Sequence, residues 1–197
     1  MPLANLIDLT ITCAITVWSP GPNNILLLST ASRYGVRKNM PFMAGIWTGA
    51  FLIMSLCGLL GQTLITVIPG IQPFMKLIGT VYLLYLAWNT YKRQPPNAAA
   101  EQKLPTYLMG FSLQLVNAKM IIHGITMFSS YILPFVQTTP MIFVFVIYFV
   151  VMGAIGNLIW AFAGNALNKL YTAHYKLMNL IMALLLVWCA LRIAGIC

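Results

Sequence analysis

The chain has 197 residues, of which 60% are hydrophobic and 7% charged, with a mean hydropathy of +0.87. A soluble domain carries about 25% charged residues, so this composition excludes a water-solvated globule and points to the membrane. The net charge of +9 resembles that of a nucleic-acid binder, but the basic residues lie between apolar runs, which excludes that partner in favour of the lipid bilayer.

Six apolar runs approach the ~20 residues that a spanning helix needs. They cover 9–31, 42–60, 74–91, 108–133, 141–167 and 177–196. They are continuous, where a transmembrane β-barrel would show alternating segments of about 10 residues. The expected fold is therefore an all-α integral membrane domain of six helices over 1–197. Pro41, Pro73, Pro105 and Pro140 each precede a run, as prolines do at helix starts. No basic residue precedes the first run, so it reads as a retained helix rather than a signal peptide.

The first run contains Pro20-Gly21-Pro22-Asn23-Asn24. If Asp8 marks the outer interface, a rise of ~1.5 Å per residue puts this stretch roughly 18–24 Å along the helix, still inside the ~30 Å core. Two prolines remove amide donors and clash with preceding carbonyls. The expectation is a broken helix, tolerated only where it faces protein or a water-filled cavity. A half-helix starting near Asn23 and Asn24 aims its positive end and two amides into that cavity, which suits a carboxylate. A kink used only for packing is the alternative.

Arg33, Arg37 and Lys38 follow this run. The second run carries Gly45 and Gly49 in a GxxxG pattern, which marks close packing within one subunit or a homodimer contact. After the third run, Lys92, Arg93 and Lys103 lie in the longest hydrophilic stretch, 92–105. It separates two halves, about 1–92 and 105–197, of three runs each. Three runs per half insert the halves in opposite orientations, the arrangement of a 3+3 inverted repeat. Lys169 and Lys176 separate the last two runs, whereas the loop between runs four and five has no basic residue. Basic loops stay cytoplasmic, so both termini are expected on the periplasmic side.

The fourth run reads "MGFSLQLVNAKMIIHGITMF". Asn117 and Lys119 lie roughly 14–17 Å deep in it. A mid-membrane charge costs at least ~2.5–3.5 kcal/mol, so Lys119 should face a cavity or a partner. It has two compatible roles, as counter-charge to an anionic substrate group or as a cap on the carbonyls freed by the first break. Snorkelling to the interface is a third. His123 shares its face four residues on, as a proton carrier or as a satisfied neutral core residue. Gln114 and Asn117 adjoin that face. The fifth run places Asn157 inside the membrane, with Gly153, Gly156 and Gly164 allowing a neighbouring helix to approach.

Asp8 and Glu101 are the only acids, so no mid-membrane carboxylate offers a proton relay. No nucleotide-binding loop, metal-spaced His/Cys group or nucleophile motif is present, so no cofactor and no metal is expected. Cys13, Cys57, Cys189 and Cys197 read as packing residues. An intramembrane enzyme using Ser112, Lys119 and His123 is the rival from another class. A passive channel or a structural subunit is a second.

The stretch from Pro20 to Asn24 resembles the LysE/RhtB family of amino-acid exporters, as does the following turn of Gly35, Arg37, Gly45 and Gly49. The segment "LQLVNAKMI" is similar to the family's fourth-helix Asn-Pro-Lys motif, with Ala118 in place of the proline. "GNLIWAFAG" and "ALLLVWCALRI" look like the branch that exports cysteine and O-acetylserine. The resemblance implies a bacterial inner-membrane exporter of a small amino acid, driven by the proton motive force. The candidate site residues are Pro20, Gly21, Pro22, Asn23, Asn24, Gln114, Asn117, Lys119 and Asn157, with His123 and Asp8 for proton coupling. Related electron carriers need cysteines in the first and fourth spans. This chain has Cys13 but none in the fourth.

Overall fold

A computed structural model describes residues 2–92, 104–136 and 138–194. The basic stretch 92–105 and the end of the sixth run lie largely outside them. Among the described residues, seven α-helices follow in order: α1 Leu3–Trp18, α2 Pro22–Tyr91, α3 Tyr107–Leu115, α4 Ala118–Thr126, α5 Thr139–Ala166, α6 Asn168–Ala173 and α7 Tyr175–Ala194. A π-helical turn, Met127–Ile132, extends α4. No strand occurs among the described residues.

By length and composition, 22–61 and Thr139–Ala166 are each long and apolar enough to cross a membrane. A third span forms if α3 and the α4 helix with its π-turn count as one, bent by 59° at the break. The outer faces fit a lipid surround. Val144, Ile147, Val151, Ile155, Ile159 and Phe162 are all exposed on α5, spaced three or four residues apart. Ile7, Ile11 and Ile15 do the same on α1. Such stripes in water would be unmatched hydrophobic patches, and in a bilayer they are the solvated surface.

The first run is broken, as the prolines dictate. Ser19 is extended (φ −63°, ψ 155°), Gly21 is extended, and Pro22 opens α2 at its first turn. The second boundary differs from expectation. The helix restarts after Gly35, not at Pro41, and Pro41 lies inside it. Gly35 has φ 77°, which favours glycine because a side chain there would crowd the backbone. The carbonyls freed at this kink are taken up by amides. Asn39 Nδ2 donates to Gly35 O at 2.8 Å, and Asn168 Nδ2 to Ser32 O at 2.7 Å. A second interruption falls at Leu60.

The fourth run also differs from expectation. It is two helices, with Val116 and Asn117 between them. No proline lies there. Thr106 caps α3 by accepting from Met109 N at 3.2 Å.

The Gly45 and Gly49 pair packs within the chain, against α3. A Cβ on Gly45 would overlap Tyr107 O and lie 2.8 Å from Phe111 N. A Cβ on Gly110 would overlap Phe42 O in return. Small residues on both helices bring the two backbones together.

Buried apolar side chains form two clusters. One joins Leu26, Phe42, Leu83, Leu113, Tyr171 and Leu186. The other joins Leu9, Met54, Phe128, Val146 and Phe149.

Candidate substrate site

Breaking α1 exposes the carbonyls of its last turn, which have no partner in the helix. Each finds a donor. Ser19 N returns to Ile15 O at 3.2 Å. Ser19 Oγ donates to Thr16 O at 2.8 Å. Asn24 Nδ2 reaches both Val17 O (2.9 Å) and Ser19 O (3.0 Å). Trp160 Nε1 donates to Trp18 O at 2.9 Å. Lys119 Nζ donates to Ser19 Oγ at 2.9 Å and to Ser19 O at 3.4 Å. A cation at a helix C-terminus also meets the negative end of the helix dipole. Of the roles expected for Lys119, the cap on the first break is the one seen. Gly21 makes room for it, since a Cβ there would lie 3.1 Å from Nζ.

The two amides after the break point in different directions. Asn23 Nδ2 donates to Gln114 Oε1, and Asn23 Oδ1 accepts from Asn117 Nδ2 at 3.2 Å. That ties α2 to both sides of the second break. Asn24 Oδ1 accepts from Asn157 Nδ2 at 3.0 Å, and Asn157 Oδ1 accepts from Trp47 Nε1 at 3.2 Å. That ties α2 to α5. Asn24, Gln114, Asn117 and Asn157 are all buried. Removing one partner from such a network leaves the other unsatisfied, at about 1–3 kcal/mol.

These residues enclose a cavity of about 50 Å³. A water needs about 10–15 Å³ of such space, so several waters or one small solute fit. Gly21, Pro22, Asn23, Asn24, Gln114, Asn117, Lys119, His123 and Asn157 all line it. Its apolar wall includes Val17, Ile46, Ala50, Met120 and Val150, with Thr16 and Gly153 beside them. Pro20 is exposed beside the break and does not line the cavity. Asp8 is exposed on α1, away from it.

The helix ends at the cavity are unequal. The carbonyl end of α1 is fully served, by Ser19 N and by side chains. At the amide end of α4, Ala118 N and Met120 N bond to the backbone at Val116 O (3.0 Å) and Asn117 O (2.9 Å), while at α2, which opens with Pro22, Gly21 supplies no side-chain cap to the amides of Asn23 and Asn24. First-turn amides have no acceptor within their own helix. Two positive helix ends and one ammonium therefore surround a cavity lined by no carboxylate. Two buried polar atoms on its wall have no partner: Asn117 Oδ1 and His123 Nδ1. The other nitrogen of His123 lies 3.9 Å from Cys13 Sγ, and its ring meets Phe149 edge-on.

Sequence reasoning missed three parts of this site. The second break has no proline, and its one signal was that Ala118 stands where the resembling motif carries a proline. Ser19 and Trp47 carry no local signal of a role at the site. Their roles come from which helix faces them, and no local pattern encodes that. Ser112 is a different case. Its hydroxyl bonds back to Leu108 O at 2.8 Å and does not line the cavity. It is therefore not combined there with Lys119 and His123.

Helices broken inside an apolar bundle, with polar residues converging on a cavity at the breaks, are the arrangement in which membrane transporters hold their substrates. The family model "LysE type translocator" matches residues 14–195, and the chain belongs to that family. It is 36% identical to a cysteine/O-acetylserine efflux protein of Salmonella typhimurium (strain LT2), over 91% of this chain and 92% of that protein. It is 33% identical to the protein of the same description in Escherichia coli (strain K12), again over 91% and 92%. No solved structure matches it.

Proposed function

We propose that the chain exports a small neutral amino acid or close derivative, of the cysteine or O-acetylserine kind, across the bacterial inner membrane. The observation that carries this reading is the imbalance at the cavity. The positive N-terminal ends of α2 and α4 and the Lys119 ammonium favour an anionic group, while the free Asn117 Oδ1, with His123 Nδ1 in the tautomer that leaves it unprotonated, offers acceptors to an ammonium. A zwitterionic α-amino acid supplies both. Asn23, Asn24 and the first-turn amides of α2 meet its carboxylate. Lys119 serves as counter-charge while it holds Ser19. Gln114, Asn117 and Asn157 orient the rest. Pro20, Gly21 and Pro22 keep the break open.

In this reading the chain spans the membrane six times as two inverted halves, 1–92 and 105–197. Both termini are periplasmic, and the basic loops after spans one, three and five are cytoplasmic. One half rocks against the other around the cavity. The proton motive force drives export, with His123 as the proton carrier within the cavity.

Net export from loaded proteoliposomes tests the reading. A panel of neutral amino acids is loaded, and a pH gradient is imposed in either sense. At least one amino acid is expected to leave faster than from protein-free liposomes. Its rate should rise when the outside is acidic, because inward proton flow then drives efflux. Equal rates under both gradients would remove proton coupling, and no export of any amino acid would remove the function.

A further inference from the structure

We infer that Gly153 of α5 sets the size of the substrate side chain, so that the cavity takes an α-amino acid that is unbranched at Cβ and reaches no further than about its ε atom. This rests on the amino-acid reading above. Gly45, Gly49, Gly58, Gly61, Gly110, Gly124, Gly156 and Gly164 lie in helices with no room for a side chain. A Cβ on any of them would approach a neighbouring atom to 2.8 Å or less. Packing alone explains those eight glycines. Gly153 is different. A Cβ there would meet, within 4 Å among the described residues, only Val17 Cγ1, at an ordinary 3.9 Å. Helix packing does not require a glycine at this position, contrary to the sequence-based expectation that it admits a neighbouring helix. Yet Gly153 lines the cavity, so a substituent would enter the space the substrate needs.

Its position on α5 fixes which part of the substrate it meets. Asn157 is four residues on, about 6 Å along the helix and on the same face. Asn157 belongs to the polar end, through Asn24 and Trp47. Val150 is three residues back and lines the cavity as well. The wall of α5 therefore runs from an amide, through bare backbone, to an apolar residue. A zwitterion held at the polar end extends its side chain along that bare backbone. The reach of about one helical turn, 5.4 Å, admits a side chain that is unbranched at Cβ and extends to about its ε atom, and no more. The unpartnered Asn117 Oδ1, on a residue only 6% exposed, independently marks the cavity as a ligand site.

The test uses full-length protein in proteoliposomes, as wild type, Gly153→Ala and Gly153→Val. The probes are alanine, serine, cysteine, O-acetylserine and methionine. One added methylene in an apolar pocket changes discrimination by about tenfold or more. The transport efficiency of the longest accepted probe relative to alanine is expected to fall about tenfold in Gly153→Ala, and further in Gly153→Val. Unfolding in detergent supplies the second readout. Gly153→Ala should unfold near the wild-type temperature, whereas Gly156→Ala, whose Cβ would lie 2.5 Å from Trp18 Cδ1, should unfold earlier. An unchanged size profile with an active wild type overturns the inference and leaves the amino-acid reading intact. So does a loss of stability in Gly153→Ala equal to that in Gly156→Ala. A wild type that moves none of the probes overturns both, and is told apart by that result.

Discussion

Lys119→Met is expected to lower transport by about tenfold to a hundredfold while the protein still inserts and folds. Hydrogen bonds to a charged group contribute about 1.5–3 kcal/mol, and each 1.4 kcal/mol is a factor of ten. Methionine keeps most of the apolar stem and removes the ammonium. Ser19 Oγ and Ser19 O then lose the donor that lies 2.9 and 3.4 Å away. Asn24 Nδ2 still serves Ser19 O, so the break is loosened rather than released. A lower unfolding temperature in detergent should accompany the transport loss, because the end of α1 loses a favourable cation. If Lys119 also meets the substrate carboxylate, the KM for transport rises as well as the rate falling. Wild-type transport by Lys119→Met at normal expression would remove Lys119 from the site.

Gly110→Ala is expected to impair transport by a different route. Its methyl would overlap Phe42 O and lie 3.0 Å from Ile46 N. Both are backbone atoms of α2, so no rotamer change relieves the contact. Overpacking of this kind costs about 1–3 kcal/mol. The helices must part, and Gln114 sits one turn beyond Gly110 on α3. Gln114 accepts from Asn23, and its own Cβ would lie 2.8 Å from a Cβ on Gly49. Moving α3 therefore pulls a site residue off its partner. The expected outcome is a reduced yield of folded protein in membranes, an earlier unfolding transition, and transport below detection. A Gly110→Ala protein that folds and transports normally would show that this contact does not position the site.

The sequence made some of this site legible, for identifiable reasons. The first break could be read because Pro20, Gly21 and Pro22 concentrate two missing amide donors within three residues, whereas Pro41 alone sits inside a helix. Asn24, Gln114, Lys119 and Asn157 stood out because each is polar within an apolar run. Their pairing was not legible, since Asn24 and Asn157 are 133 residues apart and meet only when α2 and α5 pack. The second break was hidden for the opposite reason to the first. Asn117-Ala118-Lys119 contains no local breaker, and its bend is accompanied by the contacts of Asn117 with Asn23 across the bundle. Gly35 was read as part of a turn, yet it is a one-residue kink between helices, stabilised by Asn39 and Asn168. A distant amide supplies half of that stabilisation, so the turn's shape was beyond a local pattern. The glycines divide in the same way. Their spacing announced close packing, but only neighbouring atoms separate Gly156, which seats Trp18, from Gly153, which faces the cavity.

The central claim is that the cavity at the two helix breaks binds the transported amino acid. Counterflow measures this most directly: labelled amino acid enters proteoliposomes preloaded with the same unlabelled compound, with no gradient to drive it. The decisive comparison is wild type against Asn23→Ala, which removes the bonds to Gln114 and Asn117 together. Wild-type protein should show saturable counterflow. Asn23→Ala, inserted at a normal level, should show it at least about tenfold weaker, with a higher half-saturating concentration. Counterflow equal to wild type in Asn23→Ala, with the same half-saturating concentration, would contradict the account and place the substrate elsewhere.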